Sequence, residues 1–389
     1  MKSRLAKILG VSVITIGIFS YSCGSIQDSS SEERASSEEI EKYSIPIPPS
    51  EWNKVSAGGL FTCGIKSDSS LWCWGNNFYG QLGTGNNDSQ TLPYPVGGDT
   101  DWVLISAGAY HACAKKTNGA IWCWGRNDYG QLGIGNTADQ NVPVQVGADT
   151  NWTAISAGYY HTCAKKTNNT LWCWGDNETG QLGLGDTANR NTPVKVGVDK
   201  NWASVSTGVY HTCAKKTNGT IWCWGSNSLG QLGNGNDPYV FSPIRVGTKK
   251  DWATISAGAY HNSAKKTDGT LWFWGNDGMN ASFKPVKVGT KNNWANLDAG
   301  YYHTCAKKTD YSIWCWGTNE AGQLGTGNTV NQSMPVKVGT DKNWKSISAG
   351  YAHTCAKKSD NTLWCWGYNK SGQLGIGNND NQLSPVLVY

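Results

Sequence analysis

Seven near-copies of one segment restrict this chain more than any other feature. Residues 211–225 read HTCAKKTNGTIWCWG, and close relatives of that string recur along the chain. The tryptophans that open the units are Trp52, Trp102, Trp152, Trp202, Trp252, Trp294 and Trp344, spaced by 50, 50, 50, 50, 42 and 50 residues. Each unit carries three Trp, which accounts for all 21. The six His are periodic as well: His111, His161, His211, His261, His303 and His353, with Phe61 in the first slot. A fixed period of this length means repeated small units that bury their apolar faces against one another.

The unit consensus is W-x-x-[IVL]-S-A-G-x-x-H-T-C-A-K-K-T-x-x-x-[LI]-W-C-W-G-x-N-x-x-G-Q-L-G-x-G-N, followed by a polar loop and P-V-x-V-G. No window has the pattern of a long amphipathic helix. Short β-prone runs of four to seven residues lie between clusters of Gly, Asn, Asp and Pro, as strands do. Three or four strands in each of seven units predict an all-β radial array, a β-propeller, over residues 52–389. A solenoid is the alternative with a fixed period.

Twelve of the 13 cysteines come in pairs ten residues apart: Cys63/Cys73, Cys113/Cys123, Cys163/Cys173, Cys213/Cys223, Cys305/Cys315 and Cys355/Cys365. In the fifth unit both slots change together, to Ser263 and Phe273. A hairpin turning on Thr117-Asn118-Gly119 places Cys113 opposite Cys123 at a non-hydrogen-bonded site, where Cα atoms lie about 4.5 Å apart. That suits a disulfide, and paired loss is what a cross-strand bridge predicts. The ten-residue spacer does not match the close ligand pairs of structural zinc sites. The same register puts His111, Cys113, Ile121 and Cys123 on one face, and Ala112, Ala114, Trp122 and Trp124 on the other.

Ahead of the repeats, Lys2, Arg4 and Lys7 precede the apolar run ILGVSVITIGIFSYS, the layout of an export signal over residues 1–22. Cys23 follows, and the acidic Ser/Glu stretch over 23–51 reads as a flexible tether. This junction resembles the signal of bacterial lipoproteins, in which the cysteine after cleavage carries lipid. Ser22 fits that pattern, and Ser20 departs from its usual aliphatic residue. The expectation is an exported protein, lipid-anchored through Cys23 in a bacterial cell envelope or secreted. Disulfides agree with export, because thiols stay reduced in the cytosol.

The strings WGNNFYGQLGTGN from Trp74, WGRNDYGQLGIGN from Trp124 and WGTNEAGQLGTGN from Trp316, with the S-A-G-x-x-H-T and L-W-x-W-G blocks, resemble the repeat of the regulator of chromosome condensation family. The resemblance covers about residues 52–389 and implies a seven-bladed β-propeller of four-stranded antiparallel blades. It also implies that the C-terminal PVLVY is the last strand, closing the ring against the first unit. That family includes an exchange factor for a small nuclear GTPase, a plant ultraviolet receptor and a secreted bacterial inhibitor of β-lactamases. Fold membership therefore selects no activity. The export signal argues against the nuclear role. The receptor's G-W-R-H-T motif is absent, the segments here reading GAYHAC and GYYHTC. The exported inhibitor matches best in compartment.

Catalysis needs a small asymmetric set of groups in one place. Here the His, Trp and paired Cys are spread evenly around the repeat, so the imidazoles read as structural, each tying a turn to backbone. No catalytic residue, metal site or cofactor is expected. Variation among the units is more informative. It gathers at the two residues before the His slot, where Tyr110, Tyr159, Tyr160, Tyr210, Tyr260, Tyr301, Tyr302 and Tyr351 lie. It gathers again after W-G, at Phe78, Tyr79 and Tyr129, and in the long loop that follows G-x-G-N. Loops on a rigid scaffold carry recognition, and Tyr offers contact area with little entropy to lose. These eleven residues are the expected binding surface for a protein or glycan partner. Packing of the central channel is the structural alternative, and inhibition of an exported hydrolase is a second function.

Over residues 52–389 there are 28 Lys and Arg against 21 Asp and Glu. The paired lysines at the hairpin tips, such as Lys115-Lys116, are expected to form a solvated, edge-protecting basic ring. Aromatic and basic residues do not alternate along a groove, so no nucleic-acid partner is expected. The fifth unit lacks G-Q-L-G, which marks either a contact site or a tolerated deletion.

Overall fold

One hairpin sets the geometry of every blade. In the computed structural model, which describes residues 51–235 and 237–389, the first blade is β1 (Trp52–Ala57), β2 (Phe61–Lys66), β3 (Leu71–Gly75) and β4 (Gln90–Pro95). The second is β5 (Trp102–Ala107), β6 (His111–Lys116), β7 (Ile121–Gly125) and β8 (Gln140–Gln145). Lys116 N–H donates to the Ala120 carbonyl and Gly119, at φ +87°, closes the turn. Cys113 then pairs with Cys123, Ala114 with Trp122 and Ala112 with Trp124. The export signal, Cys23 and the tether up to residue 50 lie outside the described residues.

Seven such antiparallel four-stranded sheets form a seven-bladed propeller, each built from consecutive strands. The terminal strand Gln382–Val388 pairs within the seventh blade beside Leu363–Gly367, and its Val388 packs with Trp52 and Trp74 of the first blade, so the last strand closes the ring by packing rather than by strand pairing. Ring closure uses contacts of the kind found between other blades. Tyr351 N–H donates to the Gly58 carbonyl at 3.0 Å, and Ala57 N–H to Ser348 Oγ at 2.9 Å.

The two faces of the hairpin meet between blades. Cys113, Ile121, Cys123, Leu132 and Val146 of the second blade pack on Trp152, Ala164 and Trp174 of the third. All six expected disulfides form: Cys63–Cys73, Cys113–Cys123, Cys163–Cys173, Cys213–Cys223, Cys305–Cys315 and Cys355–Cys365. Their Cα atoms are 4.1 Å apart, closer than the 4.5 Å or so of an ordinary facing pair, and every bridged cysteine is fully buried. Each bridge joins directly opposed residues of the two middle strands of its blade. Truncating a core Trp of the kind they pack on costs about 3–5 kcal/mol.

The imidazoles also work between blades, which corrects the expectation that each ties its own turn to backbone. His111 Nε2 lies 2.8 Å from Thr162 Oγ1 in the next blade, and Thr162 Oγ1 donates to the Gln131 carbonyl at 2.8 Å. The threonine proton is committed to that carbonyl, so Nε2 carries the histidine proton and donates. The first interface has neither partner: Phe61 stands for His, and Ala112 stands for Thr. Both are fully buried in one apolar cluster. Replacing both members of a buried polar pair by apolar groups leaves nothing unsatisfied.

The fifth blade departs three times at one interface. Its missing G-Q-L-G removes the carbonyl that Thr304 would bond, and Thr304 Oγ1 lies 3.1 Å from Ser263 Oγ instead. Ser263 occupies one lost cysteine slot, and Phe273, in the other, is buried beside His261 with ring centroids 5.8 Å apart.

The basic ring differs from its expected form. Lys116 is buried between two rings of its own blade, 4.8 Å from the Trp102 centroid and 5.1 Å from Trp122, and lies 2.6 Å from Asp99 Oδ2. Its equivalents stand over paired Trp rings in the other six blades. The preceding lysine reaches the next blade in several places, as Lys265 Nζ does to the Ala295 carbonyl at 2.8 Å. Flanking Trp turn a nominal surface cation into a clamp, through attraction of the ammonium to the ring faces.

Burial lowers the imidazoles to about 3 in five cases and to about 4 for His211. Their folded values lie below the unfolded value near 6.5, so their stabilisation is complete above about pH 6.5 and is lost as pH falls toward 3. Each His steepens the acid loss by at most about 1.4 kcal/mol per pH unit. The double substitution His161→Phe/Thr212→Ala, which copies the first interface, is expected to remove about one proton from acid unfolding. Urea midpoints measured between pH 4 and pH 7 on both proteins check it.

Candidate functional site

Two variable segments become one surface because the backbone joins them. The residue after W-G donates its N–H to the second residue of the turn before the His slot. Arg126 does so to Tyr110 at 2.9 Å, Asp176 to Tyr160 at 2.9 Å and Thr318 to Tyr302 at 2.9 Å. Gly125, at φ +101°, makes that approach possible, since a Cβ there would sit 2.5 Å from the Tyr110 carbonyl oxygen. The loop of one blade also reaches the turn of the next. Tyr79 meets Tyr110 with ring centroids 5.5 Å apart, and Tyr129 meets Tyr160 at 5.1 Å.

All eleven aromatic residues singled out in the sequence fall in one chain of ring contacts. Phe78 contacts Tyr79 at 5.1 Å, and Tyr110 contacts Tyr159 at 5.3 Å with their hydroxyls 3.0 Å apart. Tyr159 reaches Tyr160 at 4.4 Å and Tyr301 at 6.4 Å. Tyr301 joins Tyr302, Tyr351 and Tyr260, and Tyr260 joins Tyr210 at 6.4 Å. Every blade contributes at least one ring. Phe78 and Tyr351 are exposed and the other nine are half-buried. Burial pushes the phenols of Tyr159, Tyr160, Tyr210, Tyr301 and Tyr302 upward, so they stay protonated donors.

Part of the channel-packing alternative holds. Tyr159, Tyr301 and Tyr351 line the mouth of a central channel of about 190 Å³. Below them the wall is the S-A-G segment that ends the first strand of each blade, replaced by Ser206-Thr207-Gly208 in the fourth and Asp298-Ala299-Gly300 in the sixth. Serine hydroxyls link these strands around the axis, with Ser56 Oγ accepting from Ala107 N–H and Ser106 Oγ from Ala157 N–H, both at 2.9 Å.

Three charged residues of this region were not among the expected site residues. The Arg126 guanidinium lies 4.9 Å from the Tyr79 centroid, 5.6 Å from Tyr110 and 5.4 Å from Tyr160. Burial opposes its charge, but hydrogen bonds to Asp128 at 2.9 and 2.6 Å hold it protonated. Asp176 occupies the same slot one blade on; it is buried, accepts from Gln181 Nε2 at 2.6 Å, and burial raises its carboxyl. Asp298 stands in the serine slot of the sixth blade, accepting from Ser256 Oγ and Ala349 N–H at 2.9 Å each. The signal for Asp298 was a departure from the repeat at a fixed slot, NLDAG replacing the usual S-A-G context, whereas Arg126 fills a slot that varies from unit to unit.

The six imidazoles are fully buried and cannot reach a substrate. The bridged cysteines are equally inaccessible. Cys63 and Cys73, Cys163 and Cys173, Cys213 and Cys223, Cys305 and Cys315, and Cys355 and Cys365 all lie in the apolar layers between blades, as Cys113 and Cys123 do. They hold the scaffold and take no part in the aromatic surface. The accessible groups there include phenols, ring faces, one caged guanidinium, the Lys370 ammonium and scattered carboxylates.

Burial raises Asp298 to about 6, above its unfolded value near 3.8. Its contribution is therefore complete below pH 3.8 and is lost as pH rises through 6. Asp298→Ser, which restores the repeat, is expected to stabilise the protein at pH 7.5 by about 1–2 kcal/mol, and by less at pH 4. Chemical denaturation at the two pH values measures the difference.

Comparison with known proteins gives a consistent picture. The profile of the RCC1-like domain matches residues 22–281. The regulator of chromosome condensation (RCC1) repeat matches residues 312–356 and 360–389, and a second profile of that repeat matches 294–323 and 344–373. No curated protein matches in sequence. Among solved structures, Prp20p from Saccharomyces cerevisiae, studied for its binding to Gsp1p and histones, superposes with a TM-score of 0.74 at 20% identity, covering 82% of this chain and 86% of that one. Human WBSCR16 gives 0.72 at 20% identity, covering 79% and 86%. The ectodomain of the receptor kinase CR4 from Physcomitrella patens gives 0.52 at 19%, covering 82% and 74%. At these identities the likeness establishes the fold.

Proposed function

This chain belongs to the RCC1-like domain family, and we propose that it is an exported binding protein whose Tyr-lined face docks a protein or glycan. The carrying observation is the single network of eleven aromatic rings contributed by all seven blades at one end of the channel. Rigid Tyr clusters of this kind bury large contact area at low entropic cost. The family setting agrees, since Prp20p is a propeller studied for binding other proteins. Six buried disulfides support a compartment outside the cytosol. Cys23, directly after the apolar leader, is the proposed lipid attachment. The phenols and ring faces that this surface offers support a binding role.

The double variant Tyr160→Ala/Tyr302→Ala removes rings from two separate sectors of the network while leaving the interblade layers intact. Partners captured by wild type from envelope extracts, or on a glycan array, are expected to bind it at least about tenfold more weakly, as when two central aromatic anchors are truncated. Equal affinity for both proteins would remove the Tyr face as the docking surface.

A further inference from the structure

Charge on the propeller is sorted by face. The Tyr-lined half of the blades carries three Lys or Arg against ten Asp or Glu, with Asp298 apart in the channel. The other half holds the β2–β3 type hairpins and the connections from each outer strand to the next blade, and carries 24 against 11, Glu51 included. Only Lys284, in mid-strand, belongs to neither half.

The excess on the second face is not uniform. Connections leading into the second and third blades hold Asp99, Asp101 and Asp149 and no lysine. From the third blade onward, exposed lysines accumulate at Lys200, Lys249, Lys250, Lys287 and Lys291, and continue at Lys345 and Lys54. They form an arc over blades four to seven that ends in the first blade. These side chains stand free of the Trp clamps that hold Lys116 and its equivalents.

We propose that this lysine arc lies against an anionic lipid bilayer, with the Tyr face turned away from it. Charge complementarity selects the class of surface, because lysines near an anionic leaflet each add to its attraction. Residue type selects lipid over nucleic acid. Of the 24 cations on this face only Arg245 is an arginine. Lysines are point charges that suit a diffuse surface and lack the bidentate fork that reads phosphate or base edges. The position of the chain agrees as well. Trp52 opens β1 at this face, opposite Lys66 at the end of β2, so the preceding residues enter the propeller here. Cys23 lies 28 residues before Glu51. An acyl chain on Cys23 would keep the propeller near a bilayer. The inference needs nothing from the identity of the Tyr-face partner.

The test uses the full chain with Cys23→Ser, so that no acyl group contributes, and co-sedimentation with vesicles. It is expected to pellet with phosphatidylcholine vesicles containing phosphatidylglycerol, not with phosphatidylcholine alone, and to be released by salt. Adding Lys200→Glu, Lys250→Glu, Lys291→Glu and Lys345→Glu, all exposed positions, is expected to weaken binding at least about tenfold. Lys370→Glu on the Tyr side is expected to leave it within about twofold. Thermal melting of each variant establishes that it is folded. Absence of binding to anionic vesicles overturns the proposal. So does unchanged binding by the quadruple variant, or an equal loss in Lys370→Glu. Duplex DNA retained where anionic vesicles are not would assign the face to nucleic acid and overturn it too.

Discussion

The ring depends on one backbone carbonyl, that of the glutamine in G-Q-L-G. Gln131 O accepts Thr162 Oγ1 at 2.8 Å and Trp174 Nε1 at 2.9 Å, both from the next blade. Thr162 in turn accepts from His111 in the blade that supplies the glutamine. One loop thus fixes the neighbouring sheet at two points, and the imidazole satisfies the hydroxyl from behind. Gly133 lets the loop lie flat on the Trp174 indole, since a Cβ there would stand 2.6 Å from Nε1. Repetition of this clamp gives the blades a constant relation, and the Cys face of one meets the Trp face of the next. The fifth blade, which lacks the loop, shows the dependence by exception. Loss of the carbonyl coincides with replacement of the disulfide at the same interface, and Ser263 supplies the oxygen that Thr304 would otherwise lack.

The fold was legible because its determinants are local and repeated. A ten-residue cysteine spacing across a glycine turn dictates strand register without knowledge of anything distant, and the register found is the one the spacing requires. The same register recurs at Cys63–Cys73, where Ser69 takes the place of the turn glycine, so the spacing and not the turn residue carries the signal. The partners of the imidazoles were hidden for the converse reason. His111 and Thr162 are 51 residues apart, so in a 50-residue repeat the pair reads as two neighbouring slots of one unit. The substitution of Phe61 with Ala112 carried the missing information, since a His and the Thr it meets change together at one interface only. The lysines misled in another way. A hairpin tip is normally solvated, but Lys116 has Trp on both adjacent strands, and two indoles beside an ammonium outweigh its position near a turn.

The candidate site was half legible. Variation within a constant frame identified the eleven aromatic positions, because a scaffold this uniform makes any freedom visible. That they join follows from the loop of one blade resting on the turn of the next, which the unit alone does not reveal. Arg126 shows the limit. As a sequence residue it is one member of a polar slot also filled by Asn76, Asp176, Ser226 and Thr318. Only the convergence of three Tyr rings on its guanidinium gives it a distinct environment.

A symmetric ring has a difficulty that an ordinary domain does not: seven equivalent sites would each bind weakly and compete. The departures from symmetry here are therefore where selectivity can reside, and they are sorted by depth. At the His–Thr slots the exchanges keep polar groups paired, as with Phe61/Ala112 or Asn262 for Thr beside His211. An unpaired buried donor would cost about 1–3 kcal/mol. Slots that open to solvent carry no such constraint, so charge and aromatic character drift there. The two faces have drifted in opposite directions, one toward Tyr and carboxylate, the other toward lysine. Because the blades are rigidly clamped, neither face can rearrange to resemble the other. The propeller thus presents two faces of opposite charge, and this is a property that no single blade possesses.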